Sequence, residues 1–228
     1  MDNTVGRLQS LFPPHQLDVI IGSLLGDGRL ECRSKGIRVF PITARLRIQH
    51  GEKQKGYVFW KYQILNGLVS RGPRRIMVWY DKKREKYHYS WYFHTRSSEK
   101  LGLFHQYFYR EGVKILPDNI FRLITPRVLA VWFMDDGSFI GNGLTINTHC
   151  FPPSEQRKII KFLTKRFQTK AKIVPDRLKF KIFIPYNESE NFIRTIRSYI
   201  IPTIKYKICN PRNDSSYKKK DRSILKLL

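Results

Sequence analysis

The 228-residue chain is 41% hydrophobic and 14% aromatic, which excludes a disordered protein and suffices for one large or two smaller packed domains. Its 43 lysines and arginines outnumber 18 acidic residues and give a formal charge of +25, which points to a polyanionic partner. Nucleic acid is the first expectation, although ribosomal and membrane-surface proteins share this charge, and composition alone does not separate the three classes.

The cysteines and the apolar runs indicate the compartment. Cys32, Cys150 and Cys209 are scattered, so the sequence predicts neither a disulfide framework nor a structural zinc site and fits a reducing compartment. No apolar run approaches the roughly 18 residues needed to span a bilayer. Asp2, with few apolar residues before Leu17, argues against a signal peptide. We therefore expect an intracellular protein without a membrane partner.

The first predicted helix begins near His15, directly after Pro13-Pro14, and ends at Asp27-Gly28. Gly22 and Gly26 lie four residues apart on one side of this helix. Because neither has a side chain, that side allows the backbone of another helix to approach closely.

Strand and helix patterns then alternate along the first half. Residues 43–49 predict a strand with one buried face, residues 53–69 and 101–109 predict helices, and a hairpin lies between those helices with strands at 75–79 and 87–93. Four aromatic residues of the second hairpin strand are expected in the core: Tyr87, Tyr89, Trp91 and Phe93.

The second half repeats this order. A helix is predicted from Pro126, with Thr125 as its N-cap, and strands follow at 138–140 and 143–147. The next helix is expected to be capped by Ser154. A hairpin strand at 177–183 and a helix at 188–200 complete the half, with three residues of the strand expected in the core: Leu178, Phe180 and Ile182. The second half therefore reads α-β-β-α-β-β-α, and we expect the same plan, α-β-β-α-β-β-α, for each half.

One motif occurs at the start of each half. The apolar runs at 20–28 and 129–137 both end in Asp-Gly, and their aspartates, Asp27 and Asp136, are 109 residues apart (136 − 27). A repeat at this domain-sized spacing implies two matching halves.

Both runs resemble the LAGLIDADG motif of homing endonucleases, with Asp27 and Asp136 in the position of that family's metal-binding aspartate. The chain is similar in particular to the double-motif, single-chain enzymes encoded in organellar group I introns. The resemblance extends to Lys114 in segment 114–117 and to Lys207 in segment 201–207, which are similar to the family's two lysine-bearing segments.

The resemblance implies an α+β fold of two pseudo-twofold-related αββαββα halves, whose curved antiparallel sheets form a DNA-binding saddle. We expect an N-terminal extension at 1–14, one half at 15–124, the other at 125–210 and a basic tail at 211–228. The tail contains Lys218-Lys219-Lys220, and such a charge run either contacts phosphates or is simply solvated.

The two aspartates predict a metal site if the motif helices cross through their small faces, because Asp27 and Asp136 then meet at the bottom of the interface. Two carboxylates at helix C-termini repel each other and require hard cations. Mg²⁺ fits best because it takes oxygen ligands and keeps bound waters, with Mn²⁺ as an alternative. A single Asp-Gly step is more often a turn, so the prediction depends on the pair.

The resemblance adds further site residues. It implies that the backbone carbonyls of Gly26 and Asp135 also bind the metal, while the Asp135 side chain is expected to point elsewhere. It assigns Lys114 and Lys207 to stabilising the phosphate or ordering solvent. Taken alone, each lysine of so basic a chain would be read as surface charge.

Polar residues on exposed strand faces are candidates for DNA contacts: Arg45, Arg47 and Gln49 in one half, and Arg177, Lys179 and Lys181 in the other. Arginine and glutamine in a major groove read guanine and adenine edges, while lysines contact phosphates. The alternative is a merely solvated sheet face. Four residues near strand ends are candidates for ordering water, the histidines more weakly: Gln49, Asn147, His50 and His149.

The sequence therefore predicts a monomeric endonuclease that makes a metal-dependent double-strand break in a long, asymmetric DNA site, because the halves match in plan but differ residue by residue. By resemblance, it promotes intron homing and belongs to a mitochondrion or chloroplast. The chief alternative is an RNA-binding maturase that assists splicing of its host intron, because a basic surface serves either polymer. A transcription regulator with this fold would be expected to lack one or both carboxylates.

Overall fold

The computed structural model describes residues 4–32 and 42–208, which form seven α-helices and ten strands. The helices are α1 (Thr4–Gln9), α2 (Pro14–Leu25), α3 (Lys55–Leu65), α4 (Glu99–Phe108), α5 (Pro126–Asp136), α6 (Pro153–Phe167) and α7 (Tyr186–Ile196). The strands are β1 (Arg29–Cys32), β2 (Ala44–Gly51), β3 (Arg74–Asp81), β4 (Lys86–His94), β5 (Tyr109–Arg110), β6 (Val113–Lys114), β7 (Gly137–Phe139), β8 (Gly143–Ile146), β9 (Lys172–Asp176) and β10 (Lys179–Pro185).

Two four-stranded antiparallel sheets repeat one topology. Their strand orders are β1-β2-β4-β3 and β7-β8-β10-β9, which are the same order once β7 is matched to β1. Helices α2, α3 and α4 accompany the first sheet in the chain order in which α5, α6 and α7 accompany the second. The predicted α+β fold of two αββαββα units is confirmed.

The two motif helices, α2 and α5, cross at their smallest residues. A Cβ atom placed on Gly22 would lie 2.6 Å from the Cβ of Val131, and one placed on Gly26 would lie 2.6 Å from the Cβ of Asp135. Real Cβ atoms do not approach so closely, so only glycine fits at these two positions. The predicted use of Gly22 and Gly26 as a helix-crossing face is confirmed.

The core surrounds this crossing. Most residues of both motif helices are buried, and the bulky Trp132 and Phe133 of α5 are fully enclosed. Thr125 caps α5 as predicted, because its side chain accepts a hydrogen bond from the Val128 N–H at 3.1 Å. The Ser154 cap is wrong, since α6 already begins at Pro153 and its N-cap residue makes no side-chain hydrogen bond.

The two long hairpins extend beyond the helices that cover their sheets. Phe93 and Ile182 are buried as predicted, but Tyr87 and Phe180 are 53% and 43% exposed and Leu178 is 99% exposed. Their prediction as core residues is wrong because alternation identifies the face of a strand but not where its cover ends. Arg177 is also misplaced, because it lies in the turn between β9 and β10 with a φ of 56°.

Several elements were not predicted: helix α1, the first-sheet strand β1, and the small β5–β6 pair that carries Lys114. Among residues 4–32 and 42–208, no helix is long and apolar enough to cross a membrane. The predicted basic tail and Cys209 lie outside the described residues.

Candidate active site and nucleic-acid interface

Asp136 ends helix α5, and Asp27 follows the end of α2 by two residues. Burial raises the pKa of Asp136 to about 8, and the nearby carboxylates of Asp27 and Asp135 push it in the same direction. Burial and the Asp135 carboxylate also raise the pKa of Asp27, although its side chain is 49% exposed. Negative charge on both carboxylates therefore costs free energy that a bound cation would relieve.

The two predicted lysines reach the ends of the motif helices. Lys114 Nζ donates hydrogen bonds to the carbonyl oxygens of Gly26 and Gly28, both at 2.9 Å. Lys207 Nζ donates to the carbonyl oxygens of Met134 at 2.6 Å and Asp135 at 2.8 Å. Burial lowers the pKa of both ammonium groups, while the surrounding aspartates partly oppose that shift.

The donor set fits a hard divalent cation. It offers the carboxylates of Asp27 and Asp136 and the carbonyls of Gly26 and Asp135, all of them oxygen ligands of the kind Mg²⁺ prefers. A carbonyl oxygen has two lone pairs, so the lysine bonds to Gly26 and Asp135 leave acceptor capacity. Across the described parts of the chain, no cluster of three or more His, Cys, Asp or Glu side chains fits a metal, so a cation here would depend on backbone and substrate oxygens as well.

The Asp135 side chain lies in a buried polar cluster. Its carboxylate accepts hydrogen bonds from Lys61 Nζ and the Tyr57 hydroxyl, both at 2.7 Å, and from the Asp27 N–H at 3.2 Å. Burial alone would raise the pKa of Asp135, but Lys61 and His50 outweigh it and hold the pKa below its ordinary value. Sequence reasoning missed Lys61 and Tyr57, although their i, i+4 spacing on the apolar face of α3 was a usable signal.

The four candidates for ordering water lie in different surroundings. His50 is buried with Nδ1 3.5 Å from an Asp27 carboxylate oxygen, and burial lowers its pKa to about 3. Gln49 accepts a 2.6 Å hydrogen bond from Arg47, and the Asn147 N–H donates to the Asp136 carbonyl oxygen at 3.0 Å. His149 instead pairs with Asp176 of β9 at 3.0 Å, so the structure assigns it to the second hairpin.

The exposed face of the first sheet is a cluster of arginines around one carboxylate. Glu31 of β1 lies 2.8 Å from Arg29, 2.8 Å from Arg45 and 3.5 Å from Arg47. Sequence reasoning missed Arg29 and Glu31 because no strand was assigned to them. A depression of about 320 Å³, whose lining includes Asp27, Arg29, Arg47 and Gln49, connects this strand face to the candidate metal site.

The second sheet presents fewer of the predicted contacts. Lys179 is exposed on β10, and Lys181 lies 3.2 Å from the Asp176 carboxylate. Arg177 belongs to the hairpin turn rather than to the strand face. A larger cavity of about 530 Å³ lies elsewhere, between α1, α4 and residues 115–119, and its lining contains neither motif aspartate.

Comparison with known proteins gives a consistent set of relatives. The LAGLIDADG DNA endonuclease family matches residues 17–192. The chain is 30% identical over 210 residues to DNA endonuclease I-ChuI of Chlamydomonas applanata, which covers 85% of this chain and 94% of that protein. It is 26% identical to cytochrome b mRNA maturase bI2 of Saccharomyces cerevisiae, covering 92% of this chain and 50% of the maturase.

A solved structure supports the fold. The homing endonuclease I-WcaI bound to its DNA recognition sequence superimposes with a TM-score of 0.75 at 23% identity, covering 90% of this chain and 92% of that one. A duplicated αββαββα unit with a carboxylate at the end of each crossing helix defines a two-motif nuclease fold. The chain belongs to the LAGLIDADG DNA endonuclease family.

Proposed function

We propose that this chain is a site-specific homing endonuclease that makes a double-strand break in a long, asymmetric DNA site, with Asp27 and Asp136 holding divalent metal, Mg²⁺ first and Mn²⁺ as a substitute. The observation that carries the proposal is the pair of carboxylates at the ends of the crossed helices, where burial and the neighbouring carboxylates raise the pKa of Asp136 to about 8. When bound, the metal polarises the scissile phosphate and lowers the pKa of the attacking water.

The protein groups around the pair have complementary roles. The backbone carbonyls of Gly26 and Asp135 add oxygen ligands. The close packing of the two motif helices at Gly26 and Asp135 fixes the positions of these carbonyls. Lys114 and Lys207 are anchored by two carbonyl oxygens each, which holds an ammonium group beside each motif-helix end. There it stabilises the negative charge that develops on the phosphate oxygens.

The DNA is read by the exposed strand faces, and the two faces differ. The first has an arginine cluster around Glu31 with Gln49 alongside, whereas the second has Lys179 and Lys181, with Arg177 at the hairpin turn. Arginine and glutamine suit base edges and lysine suits phosphates, so the two half-sites differ in sequence. A single chain with halves at 15–124 and 125–210 thus acts as a monomer on one asymmetric target.

The biological role follows from the family. Cleavage of an intronless allele promotes intron homing, and similarity to a cytochrome b mRNA maturase supports an origin in an organellar genome. The same similarity, over 92% of this chain, favours a second candidate function, the binding of intron RNA to assist splicing. A basic surface serves either polymer.

Selection of cleaved molecules from a randomised double-stranded DNA library in Mg²⁺ tests the proposal. Enrichment of one long, non-palindromic site is the expected result, and the same library without divalent metal is the control. If the library yields no cleaved site while intron RNA is bound tightly and spliced faster, the maturase function replaces the nuclease function.

A further inference from the structure

We infer that His50, held in place by the buried Lys61–Asp135 pair, positions the Asp27 carboxylate, so that the two halves of the active site are unequal and the two DNA strands are cut at different rates. This inference rests on the proposed nuclease function. It concerns a chain of contacts that runs from the interior of the protein to one of the two metal-binding aspartates and has no counterpart at the other.

The chain of contacts begins at a charged pair with no access to solvent. The side chains of Lys61 and Asp135 are both 0% exposed and lie 2.7 Å apart. The Tyr57 hydroxyl holds the same carboxylate oxygen at 2.7 Å. The pair joins α3, which accompanies the first sheet, to the second motif helix, α5. Because both partners are enclosed and multiply bonded, the Lys61 ammonium group has a fixed position.

Lys61 in turn fixes the orientation of His50. Its Nζ lies 3.3 Å from His50 Nε2, and an ammonium group only donates, so Nε2 is the acceptor. In the neutral ring the proton is then on Nδ1, the atom that lies 3.5 Å from the Asp27 carboxylate. The ring also packs against Tyr57, with centroids 4.9 Å apart. The Nδ1 side of His50 therefore faces the Asp27 carboxylate, while its Nε2 side faces the buried pair, 3.3 Å from Lys61 Nζ and 3.6 Å from Asp135 Oδ1.

The second half lacks each of these parts. His50 lies two residues after Ile48, which pairs with Phe93, and Thr148 lies two residues after Ile146, which pairs with Ile182. Thr148 thus occupies the position of His50, and its hydroxyl has no hydrogen-bond partner among the described residues.

The acidic partner is also missing from the matching position. Gly26 takes the place of Asp135 in the first motif, so that motif has no side chain to bind a lysine. On α6, the neutral Gln156 lies next to Thr148 and donates to the carbonyl oxygens of Thr148, Phe151 and Phe180. Asp136 therefore has no donor corresponding to His50 in the part of the chain that the structure describes.

An aspartate with a fixed orientation is closer to its metal-binding geometry before DNA arrives, and a misplacement of about 1 Å at a reacting group can cost on the order of 100-fold in rate. The strand whose phosphate is bound on the Asp27 side should therefore be cut first. The wild-type protein should pass through a nicked intermediate in which one particular strand is broken.

Strand-resolved cleavage tests this inference. A supercoiled plasmid carrying the selected site reveals the nicked intermediate, and a linear duplex with a different end label on each strand reveals which strand is cut; both are incubated with protein and Mg²⁺. In the wild type, nicked circles with the same strand broken should precede linear DNA. His50→Ala should slow that strand roughly tenfold and leave the other within about twofold, with unchanged DNA affinity. Thr148→Val is the matched control at the equivalent position and should leave both rates unchanged.

A second variant keeps the test decisive if His50→Ala folds poorly. Lys61→Met combined with Asp135→Asn removes both buried charges at nearly constant volume and leaves the Asp135 carbonyl in place. It frees His50 and should slow the same strand selectively. Equal slowing of both strands in either variant, or equal rates in the wild type, would overturn the inference. Absence of cleavage by the wild-type chain would overturn the nuclease function itself.

Discussion

Gly26 and Asp135 occupy matching positions in the two motifs, and the carbonyl oxygen of each accepts a hydrogen bond from a lysine, Lys114 at 2.9 Å and Lys207 at 2.8 Å. The lysine-to-carbonyl hydrogen bond is therefore present in both halves, whereas the side chains at these two matching positions differ. The Asp135 carboxylate lies in the buried cluster with Lys61, whereas Gly26 has no side chain that could make such a contact. The duplication thus preserves the oxygen ligands while the surroundings of the two halves differ.

Replacing either lysine should impair cleavage more than DNA binding. Lys114→Met or Lys207→Met removes one ammonium group beside the scissile phosphates, and loss of one preorganised donor of this kind costs about 10²- to 10³-fold in rate. Single-turnover cleavage rates and equilibrium DNA affinity, measured on the same site, separate the two effects. Lys158→Met is the control, because Lys158 is half exposed and pairs with Asp118 on the surface. A variant that binds weakly but cuts at the normal single-turnover rate would assign these lysines to binding instead.

The metal-free protein should lose stability as the pH rises above about 6.5. The pKa of Asp136 is about 8 in the folded chain against an ordinary 3.8, so between these values the folded state holds more protons than the unfolded state. The free energy of unfolding then falls with increasing pH, by up to about 1.4 kcal/mol per unit.

Urea unfolding in chelator at pH 6.5 and pH 8 measures this decline, because the buried His50, with its pKa lowered to about 3, opposes it only below the ordinary histidine pKa of 6.5. Asp136→Asn cannot titrate and should flatten the decline, whereas Asp118→Asn, at an exposed carboxylate, should not. Added Mg²⁺ should restore stability to the wild type at pH 8. Greater stability at pH 8 than at pH 6.5 without metal would contradict the account.

Lys61→Met should be strongly destabilising because it leaves the Asp135 carboxylate enclosed without a cation. Removing one partner of a buried ion pair costs about 3–5 kcal/mol. Adding Asp135→Asn should recover part of this loss, because the second charge is then also gone. The free energies of unfolding of the two single variants and the double variant form the measurement, and Lys53→Met, on the surface, should change stability by less than about 0.5 kcal/mol. Strict additivity of the two substitutions would show that Lys61 and Asp135 do not interact.

Gly22→Ala should destabilise the helix crossing. The new Cβ would lie 2.6 Å from the Val131 Cβ and 2.8 Å from the Val128 carbonyl oxygen, so α2 and α5 would have to move apart. Overpacking of this kind costs about 1–3 kcal/mol. At Gly67 an added Cβ meets nothing within 4 Å, and Gly67→Ala is the matched control. Equal stability of the two variants in a denaturant titration would mean that the helices do not pack as described.

The parts of the fold that sequence predicts are those that depend on periodic patterns. The motif helices, the repeated element order and the helix crossing at Gly22 and Gly26 follow from apolar spacing and from the absence of a side chain. The position where the core ends does not follow from such patterns, so strand alternation wrongly predicts Tyr87, Leu178 and Phe180 as core residues. Whether a strand is covered depends on where a helix from another part of the chain stops.

The candidate site was predictable to a similar extent. Asp27, Asp136, Lys114 and Lys207 were identified from the repeat and the family resemblance, and the structure brings all four to the helix ends. Lys61 was not identified, because a lysine in a helix is normally solvated. Its spacing from Tyr57 places it on the apolar face of α3, but its partner Asp135 follows only from the fold. Glu31 was not identified because its three arginine partners lie on two strands, β1 and β2, whose pairing is visible only in the fold.

The central claim is that one metal-dependent site uses both motif aspartates. Its most direct test is cleavage of the selected DNA site in Mg²⁺ by wild type, Asp27→Asn and Asp136→Asn at matched DNA occupancy. We predict that each single substitution lowers double-strand cleavage by about 10³-fold or more while DNA binding persists, because each removes a charged metal ligand. Double-strand cleavage at the wild-type rate by either variant would contradict the account.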